Sequence, residues 1–332
     1  DAHPRISCGE ETHFLRDLEA IVGRNWELVA TYGLSREWWI EHIRALYAEA
    51  GRTEEATRAF SEAVRKTPDA EGFCSLGISV DAARAAMAEA EIDFVDETFK
   101  RLRGRKARLL REDFCGTAQM CCEWVRGRTE NHAVGVDLDE EVLEWGRQHH
   151  ITALQPAQCA RVNLLQADVR EVKTDPVDIV LAMNFSWQVF EQRDMLRSYF
   201  AAVRDSLVDD GVLFLDAFGG YDAFRELEEK TKHKGFTYVW DQASYDPITG
   251  HMVCYIHFHF SDGSKLKKAF HYEWRLWTLP EVREILLEAG FSNVTIYWQQ
   301  WDEDSDEPSG VFEPATHGDA DAGWICYLAA EK

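Results

Sequence analysis

The segment that decides the fold is Leu109–Val125, with the sequence LLREDFCGTAQMCCEWV. It opens on an apolar run typical of a strand, and a short turn containing Gly116 and Thr117 follows. From Gln119 onward the apolar residues have helical spacing. Such a turn lets a ligand approach the backbone, and the helix that follows presents free N–H groups. The segment therefore predicts a strand, a ligand-binding turn and a helix at one edge of a parallel sheet.

The chain continues as an alternation of strands and helices, which predicts a mostly parallel sheet covered by helices on both faces. This is an α/β, Rossmann-like arrangement. The predicted strands are Ala107–Leu110, Ala133–Val136, Val162–Gln166, Asp178–Ala182 and Val212–Asp216, and the predicted helices are Gln119–Arg126, Glu140–His149 and Arg193–Leu207. Near the end, a helix at Leu279–Ala289 and strands at Val294–Trp298 and Trp324–Ala329 complete the pattern, around an acidic segment at Asp302–Glu307.

A different pattern interrupts the alternation at about 236–277, where three aromatic-rich runs predict a three-stranded antiparallel insertion. The runs are Phe236–Gln242, Met252–Phe260 and Leu266–Trp277. Burial of one face sets the register of a strand pair. We expect Ile256 to pair with Phe270 and Phe260 with Leu266, which requires a longer or bulged turn.

Two further acidic residues follow strands of the predicted sheet. Asp137 ends the second strand, about twenty residues after the turn, where a carboxylate accepts hydrogen bonds from both hydroxyls of a ribose. Asp168 follows the third strand, where it is placed to accept from an adenine amino group. The two alternatives are a helix N-cap for Asp137 and a loop carboxylate for Asp168. Together with the turn, the two acids predict a nucleoside-containing ligand.

With these residues the chain resembles the class I methyltransferases that use S-adenosyl-L-methionine, over roughly residues 80–332. Glu112–Ala118 matches the family's acidic-x-Gly-x-Gly-x-Gly loop, with Phe114 and Ala118 in place of the first and third glycine. The resemblance implies a seven-stranded sheet with its last strand antiparallel. It also implies S-adenosyl-L-methionine as cofactor, bound by residues at four strand ends: Glu112, Phe114, Cys115, Gly116, Thr117, Asp137, Leu138, Asp168, Val169 and Asn184.

The same resemblance places the methyl acceptor beside the fourth strand and the insertion. Candidate pocket residues are Phe185, Ser186, Trp187, Trp240 and Trp274, and their alternative is ordinary core packing. If a base is required, the candidates are Tyr221, His271 and Tyr272. The spacing of the strand histidines and Glu273 is too permissive to indicate a metal, so none is predicted.

Composition narrows the class of partner. The 332 residues include 59 Asp and Glu against 36 Lys and Arg, a net charge of −23. Phosphate contacts need basic residues, so a nucleic-acid substrate is not expected. No run approaches the ~20 apolar residues of a membrane helix. The eight cysteines contain no CxxC pair, which favours reduced thiols and a cytoplasmic location.

Residues 1–70 predict a helical N-terminal extension, with the boundary at 69–79 and the methyltransferase domain at 80–332. Part of the extension resembles one tetratricopeptide-like hairpin, carried by Tyr47, Ala56, Phe60, Ala63 and Pro68. A single such repeat does not bury a continuous core. The extension, or the antiparallel insertion, is therefore a candidate contact for a protein partner or a homodimer.

The predicted function is methyl transfer from S-adenosyl-L-methionine to a nitrogen, oxygen or sulfur of a small molecule, giving S-adenosylhomocysteine. Two alternatives stay open: a cofactor-sensing protein that recruits a partner through its N-terminal helices, and non-methyl chemistry of the same cofactor. A nicotinamide-dependent dehydrogenase is disfavoured because the turn lacks the G-x-G-x-x-G pattern.

Overall fold

The computed structural model describes residues 77–233, 236–260, 262–302 and 307–332. The predicted helical extension at 1–70, and most of the boundary segment at 69–79, lie outside the described residues and stay predictions. Residues 98–332 belong to one compact unit, and residues 77–97 belong to another. The candidate site lies wholly within residues 98–332.

The helices and strands follow in chain order. The first helix, α1, spans Gly77–Arg103. The other helices are α2 (Gln119–Gly127), α3 (Glu140–Gly146), α4 (Pro156–Cys159), α5 (Arg193–Ser206) and α6 (Leu279–Glu288). The strands are β1 (Leu109–Asp113), β2 (His132–Asp137), β3 (Val162–Gln166), β4 (Val177–Ala182), β5 (Leu207–Gly219), β6 (Leu227–Lys232), β7 (Phe236–Tyr245), β8 (His251–Phe260), β9 (Lys265–Arg275), β10 (Asn293–Asp302), β11 (Glu307–Ala315) and β12 (Trp324–Glu331).

The main sheet has the order β11-β10-β12-β5-β4-β1-β2-β3 in the described residues. Strands β1 to β5 are parallel, and β12 is antiparallel to β5 and β10. The predicted α/β fold with an antiparallel last strand is confirmed. One strand, β11, is added at the edge, directly after the segment expected to be an acidic loop. Its two prolines and one glycine conceal it in the sequence, and an edge strand tolerates proline because its outer N–H groups need no partner.

The core lies where α5 and α6 pack on the sheet. Every residue of β4 is buried, as expected for a central strand with both faces covered. Leu196, Phe200 and Val203 form the buried stripe of α5, at the spacing of a helix face. On α6, Val282 and Ile285 complete the same cluster. This packing fixes the carboxyl ends of the parallel strands, where the candidate site lies.

The insertion after β5 is a sheet of order β6-β7-β8-β9, so it has one strand more than predicted. Strand β6 reads LEEKTK, and charges of this kind are typical of an edge strand and hide it from a hydrophobic pattern. The predicted pairing of Ile256 with Phe270 is confirmed. The pairing of Phe260 with Leu266 is wrong, because Leu266 pairs with Phe258. The irregularity lies within the strand pair rather than in the turn.

That irregularity is a bulge at Lys268, whose backbone has a positive φ of 53°. The Lys268 N–H donates to Nδ1 of His257 at 2.7 Å, and Nε2 of His257 lies 3.1 Å from a carboxylate oxygen of Asp241. Since Nδ1 accepts a hydrogen bond, Nε2 carries the ring proton and donates it to Asp241. Both ring nitrogens of His257 therefore serve the structure of the insertion.

Candidate active site

The turn after β1 keeps a glycine-like backbone although two of its residues are not glycine. Phe114, Gly116 and Ala118 have φ values of 58°, 51° and 61°. A residue with a Cβ costs about 1–2 kcal/mol in the left-handed region. Phe114 compensates with ring contacts to Phe190 and Tyr199, at centroid distances of 5.8 and 5.9 Å. The turn thus has the shape its resemblance implies, and the Phe114 ring packs on the helical layer.

Glu112 fixes the start of the helix that follows the turn. Its Oε2 accepts the N–H of Cys121 at 3.0 Å, and the N-cap residue Ala118 supplies no capping side chain. A carboxylate near a helix N-terminus is stabilised by the helix dipole as well as by this hydrogen bond. Glu112 is buried at the end of β1. It therefore supports the turn from the end of β1.

Asp137 joins the turn to the end of β2. Its Oδ2 accepts the N–H of Gly116 at 2.8 Å, and its Oδ1 accepts the N–H of Asp139 at 2.9 Å. The helix N-cap is Asp139, whose side chain accepts from two amides of α3, so the N-cap alternative for Asp137 is wrong. Burial raises the pKa of Asp137 above its usual range. Leu138, next to it, is an apolar side chain that is 68% exposed.

Asp168 lies on the same edge, since the end of β3 is bonded to the end of β2: the N–H of Ala167 donates to the carbonyl of Asp137 at 2.9 Å. Arg170, which the sequence analysis did not single out, donates from Nε to both Asp168 oxygens at 3.0 and 3.1 Å. This arginine lowers the pKa of Asp168. Val169 is buried in the core and offers only its backbone.

The helical segment from Gly146 to His150 packs against the turn. Gly146 lies so close that a Cβ built there would be 2.5 Å from the Thr117 carbonyl oxygen. Nδ1 of His150 lies 3.0 Å from the same oxygen, and since a carbonyl only accepts, Nδ1 carries the proton. His150 belongs to a π-helical turn, Arg147–Ile151, a feature frequent at functional sites. Cys115 is buried beneath the turn with its Sγ facing Gly135.

The segment after β4 contains two consecutive left-handed residues, Asn184 and Phe185, with φ of 62° and 58°. Their N–H groups donate to the carboxylate of Asp216, on β5, at 2.7 and 2.8 Å. Trp187 donates from Nε1 to the Asp216 carbonyl at 2.8 Å and lies in the core cluster. Ser186 is buried between them. Asp216 was missed by the sequence analysis, although an aspartate inside an apolar strand was a usable signal.

An aromatic cluster links this segment to the insertion. Phe185 contacts Phe218 at 4.8 Å and Trp274 at 6.5 Å between ring centroids. Trp274 in turn contacts Trp240 at 6.4 Å and Tyr272 at 4.6 Å. All five side chains are at most 9% exposed. The structure thus brings together three of the predicted pocket residues, Phe185, Trp240 and Trp274, beside the end of β5.

The three candidate bases are not brought together. Tyr272 lies within the aromatic cluster, whereas its neighbour His271 points to the opposite face of the insertion, because successive strand residues alternate. There the His271 ring stacks on Tyr255, and its Nε2 lies 3.3 Å from a carboxylate oxygen of Glu273. Tyr221 is 60% exposed in the turn after β5. Among these three, only Tyr272 shares a face with Trp274.

Beneath the turn lies a buried polar group of three residues. Arg111 donates from Nε to Asp113 at 2.8 Å, and the Tyr199 hydroxyl donates to the other Asp113 oxygen at 2.9 Å. All three are at most 1% exposed. Burial raises the pKa of Asp113, although Arg111 and the Tyr199 hydroxyl oppose that shift. The group joins the end of β1 to α5.

The described residues contain neither a metal-binding cluster nor a membrane-spanning helix. Within them, the side chains of His, Cys, Asp and Glu form no group of three or more suited to a metal ion. Over the same part of the chain, the helices are too short or too polar to cross a membrane.

The chain has a class I methyltransferase fold. Four features define it: the parallel sheet, the left-handed turn after β1, the acid at the end of β2 and the insertion after β5. A family described as "Methyltransferase domain" matches residues 113–215. Over these residues the match, together with the fold, confirms the resemblance to methyltransferases. A search of curated proteins finds no match.

Solved structures show the same architecture. The amino pentose methyltransferase CalS10 from Micromonospora echinaspora has a TM-score of 0.54 at 15% identity, over 77% of this chain and 97% of CalS10. The CcbJ methyltransferase from Streptomyces caelestis has a TM-score of 0.53 at 13% identity, over 74% of this chain and 90% of CcbJ. An S-adenosylmethionine-dependent methyltransferase from Clostridium acetobutylicum has a TM-score of 0.51 at 16% identity, over 74% of this chain and 91% of that enzyme. At these identities the likeness establishes the fold.

Proposed function

We propose that this protein transfers a methyl group from S-adenosyl-L-methionine to a nitrogen, oxygen or sulfur atom of a small molecule. The observation that carries the proposal is the arrangement at the ends of β1 and β2. There the Asp137 carboxylate accepts the Gly116 N–H at 2.8 Å, within a turn whose residues match a methyltransferase domain. A carboxylate, a glycine-containing turn and an exposed apolar side chain, Leu138, thus lie on one edge.

The residues fit such a cofactor. Each Asp137 oxygen has a second lone pair beyond the backbone hydrogen bond it accepts, which suits the two hydroxyls of a ribose. Leu138, 68% exposed, provides an apolar surface for an adenine. Asp168, held by Arg170, marks the outer end of the same edge, and Glu112 and Gly116 mark its inner end. These residues extend over three adjacent strand ends, as an elongated nucleoside requires.

When bound, the cofactor supplies an electrophilic methyl group on sulfur. The protein's part is to orient the acceptor and to exclude water. Phe185, Phe218 and Trp274 are suited to this, because their buried rings form an apolar wall at the ends of β4 and β5. A neutral amine attacks without a base. For a hydroxyl acceptor, Tyr272 is the candidate in this cluster, whereas His271 is directed away from it.

A small acceptor is supported by two facts. The net charge of −23 repels a polyanion, and CalS10, described as an amino pentose methyltransferase, has the same fold. Amine-bearing metabolites are therefore the first acceptors to test. We also propose that the protein works in the cytoplasm, and that residues 1–70 or the insertion contact a partner or a second copy.

Calorimetric titration of S-adenosylhomocysteine tests the cofactor. We expect micromolar binding by the wild type and binding at least tenfold weaker for Asp137→Asn, which lacks one acceptor oxygen. Asp139→Asn is the matched control, two residues away in a capping position, and its affinity should stay within threefold. A thermal shift with NAD instead of S-adenosylmethionine would contradict the proposal.

The reaction itself is tested by incubating the protein with S-adenosylmethionine and pools of amines, thiols and hydroxyl compounds. Release of S-adenosylhomocysteine supports methyl transfer. Tight binding with no release from any pool favours a cofactor-sensing protein, and a different nucleoside product indicates non-methyl chemistry.

A further inference from the structure

The carboxylate of Asp216 occupies an unusual place. It lies on β5 within the run Gly211–Gly219, in which all nine residues are buried, and it is itself 5% exposed. A buried carboxylate is unfavourable unless its oxygens are hydrogen-bonded. Both are: Oδ2 accepts from Asn184 and Oδ1 from Phe185, at 2.7 and 2.8 Å. The two donors are backbone amides of neighbouring residues.

Those two amides belong to a strained turn. Asn184 and Phe185 both have positive φ, and left-handed residues that are not glycine cost about 1–2 kcal/mol each. Such a conformation persists only where the surroundings over-determine it. Hydrogen bonds to an ionised acceptor are roughly twice as strong as neutral ones. The paired bonds to Asp216 therefore stabilise this strained turn.

The turn in question lies at the acceptor end of the site. Phe185 presents its ring to Phe218 and Trp274, so the conformation of its backbone sets the position of the apolar wall. Asn184 immediately follows β4 and Met183, between the ends of β1 and β5 in the sheet order. A change at Asp216 would reach both residues without touching Asp137 or Gly116.

We propose that Asp216 is a positioning residue for methyl transfer, whose ionised carboxylate holds Asn184 and Phe185 in the conformation that orients the acceptor. The inference rests on the proposed function. Asp216 acts through the two residues it binds, and it is not assigned a contact with the reacting atoms.

The charge state of Asp216 should make the conformation of the turn depend on pH. Burial raises its pKa from 3.8 to about 7, against the lowering effect of the Asn184 and Phe185 amides. Two titratable residues of β12 neighbour it: Tyr327, which pairs with Asp216 across the strands, and Cys326, whose thiol pKa is raised by burial and by Asp216. Above pH 7 both carboxylate oxygens accept. Below pH 7, one oxygen carries a proton and accepts a weaker hydrogen bond from its amide.

The chain offers a matched control at the opposite end of the sheet. Asp178, at the start of β4, accepts the backbone N–H groups of Arg108 and Leu109 at 2.7 and 2.9 Å. It is 7% exposed, similar to Asp216. Both amides donate to Oδ2 of Asp178, while its Oδ1 pairs with Arg105 at 2.8 Å, at the end of the sheet opposite the candidate site. Asp178→Asn removes a second buried carboxylate that binds two backbone amides, without reaching the turn after β4.

The experiment compares the wild type, Asp216→Asn and Asp178→Asn by amide hydrogen exchange, by calorimetry with S-adenosylhomocysteine, and by release of S-adenosylhomocysteine with the amine pool. For Asp216→Asn we expect at least tenfold faster exchange at Asn184 and Phe185. We also expect at least tenfold slower release of S-adenosylhomocysteine with the amine pool at saturating S-adenosylmethionine, a cofactor affinity within fivefold, and loss of the rise in turnover near pH 7. Asp178→Asn should keep wild-type exchange at both amides.

Wild-type exchange at Asn184 and Phe185 in Asp216→Asn, or equal effects of the two variants on these amides, would overturn the inference. Should Asp216→Asn fail to fold, the wild-type amide resonances of Asn184 and Phe185 are titrated instead. A shared transition near pH 7 is expected, and flat curves from pH 5 to 9 would refute it. Failure of the proposed function is seen separately, as absence of S-adenosylhomocysteine binding by the wild type.

Discussion

The close approach of Gly146 to the turn after β1 allows a quantitative test of how the backbone of this turn is supported. A Cβ at this position would lie 2.5 Å from the Thr117 carbonyl oxygen and 2.9 Å from its carbon. Both are backbone atoms, which do not rotate aside as a flexible side chain would. Gly146→Ala therefore requires α3 or the turn to move, and overpacking of this kind costs about 1–3 kcal/mol.

Gly127 provides the matched control, since it also ends a helix, α2. A Cβ there would meet nothing closer than 3.9 Å, the amide nitrogen of Asn131. Both substitutions gain up to about 1 kcal/mol of helix propensity, so this contribution cancels between them. We expect Gly127→Ala to be neutral or stabilising, and Gly146→Ala to be less stable than Gly127→Ala by about 1–3 kcal/mol.

The same displacement should weaken the binding of S-adenosylhomocysteine. Because the Thr117 carbonyl adjoins Gly116, whose N–H donates to Asp137, we expect Gly146→Ala to bind S-adenosylhomocysteine at least fivefold more weakly. Denaturant unfolding and calorimetry on the two variants and the wild type measure both effects. Equal stability of the two alanine variants, together with unchanged affinity, would refute the argument that Gly146 is required for close packing against the turn.

Three further predictions concern buried or titratable groups. Tyr199→Phe removes one of the hydrogen bonds to buried Asp113 and should destabilise the protein by about 1–3 kcal/mol with cofactor affinity retained; an unchanged denaturation midpoint would contradict this. His271→Gln should leave turnover within twofold, because the ring lies on the outer face of the insertion, and a tenfold loss would show that it reaches the site. The native Asp216 carboxyl, with a pKa of about 7, holds a proton that the unfolded chain has released above its ordinary value of 3.8. Its contribution to stability therefore falls as pH rises from about 4 to 7, by about 4 kcal/mol. Asp216→Asn should remove that decrease, and parallel stability curves for variant and wild type between pH 4 and 8 would refute the assignment.

Local pattern in the sequence was sufficient for the architecture of the main sheet. The alternation of apolar strands and amphipathic helices depends on residues within one element, so β2, β3, β4, α5 and α6 were predicted close to their observed bounds. Strand β1 was predicted to begin at Ala107 but begins at Leu109, and β5 begins at Leu207, before the predicted start at Val212. The turn at Phe114–Ala118 was found for the same reason, and so was Asp137 at the end of β2. Strands β6 and β11 were missed because edge strands owe their existence to a pairing partner, and their own residues carry charge or proline.

What the tertiary structure alone decided is which distant groups meet. The register between β8 and β9, displaced by the bulge at Lys268, determines which insertion side chains share a face. Asp216 binds amides about thirty residues earlier in the chain, and nothing in the local pattern around it specifies those partners. A hydrogen bond or a packed ring pair forms between groups that the completed fold brings together, whereas periodicity reports only which face of its own element a residue occupies.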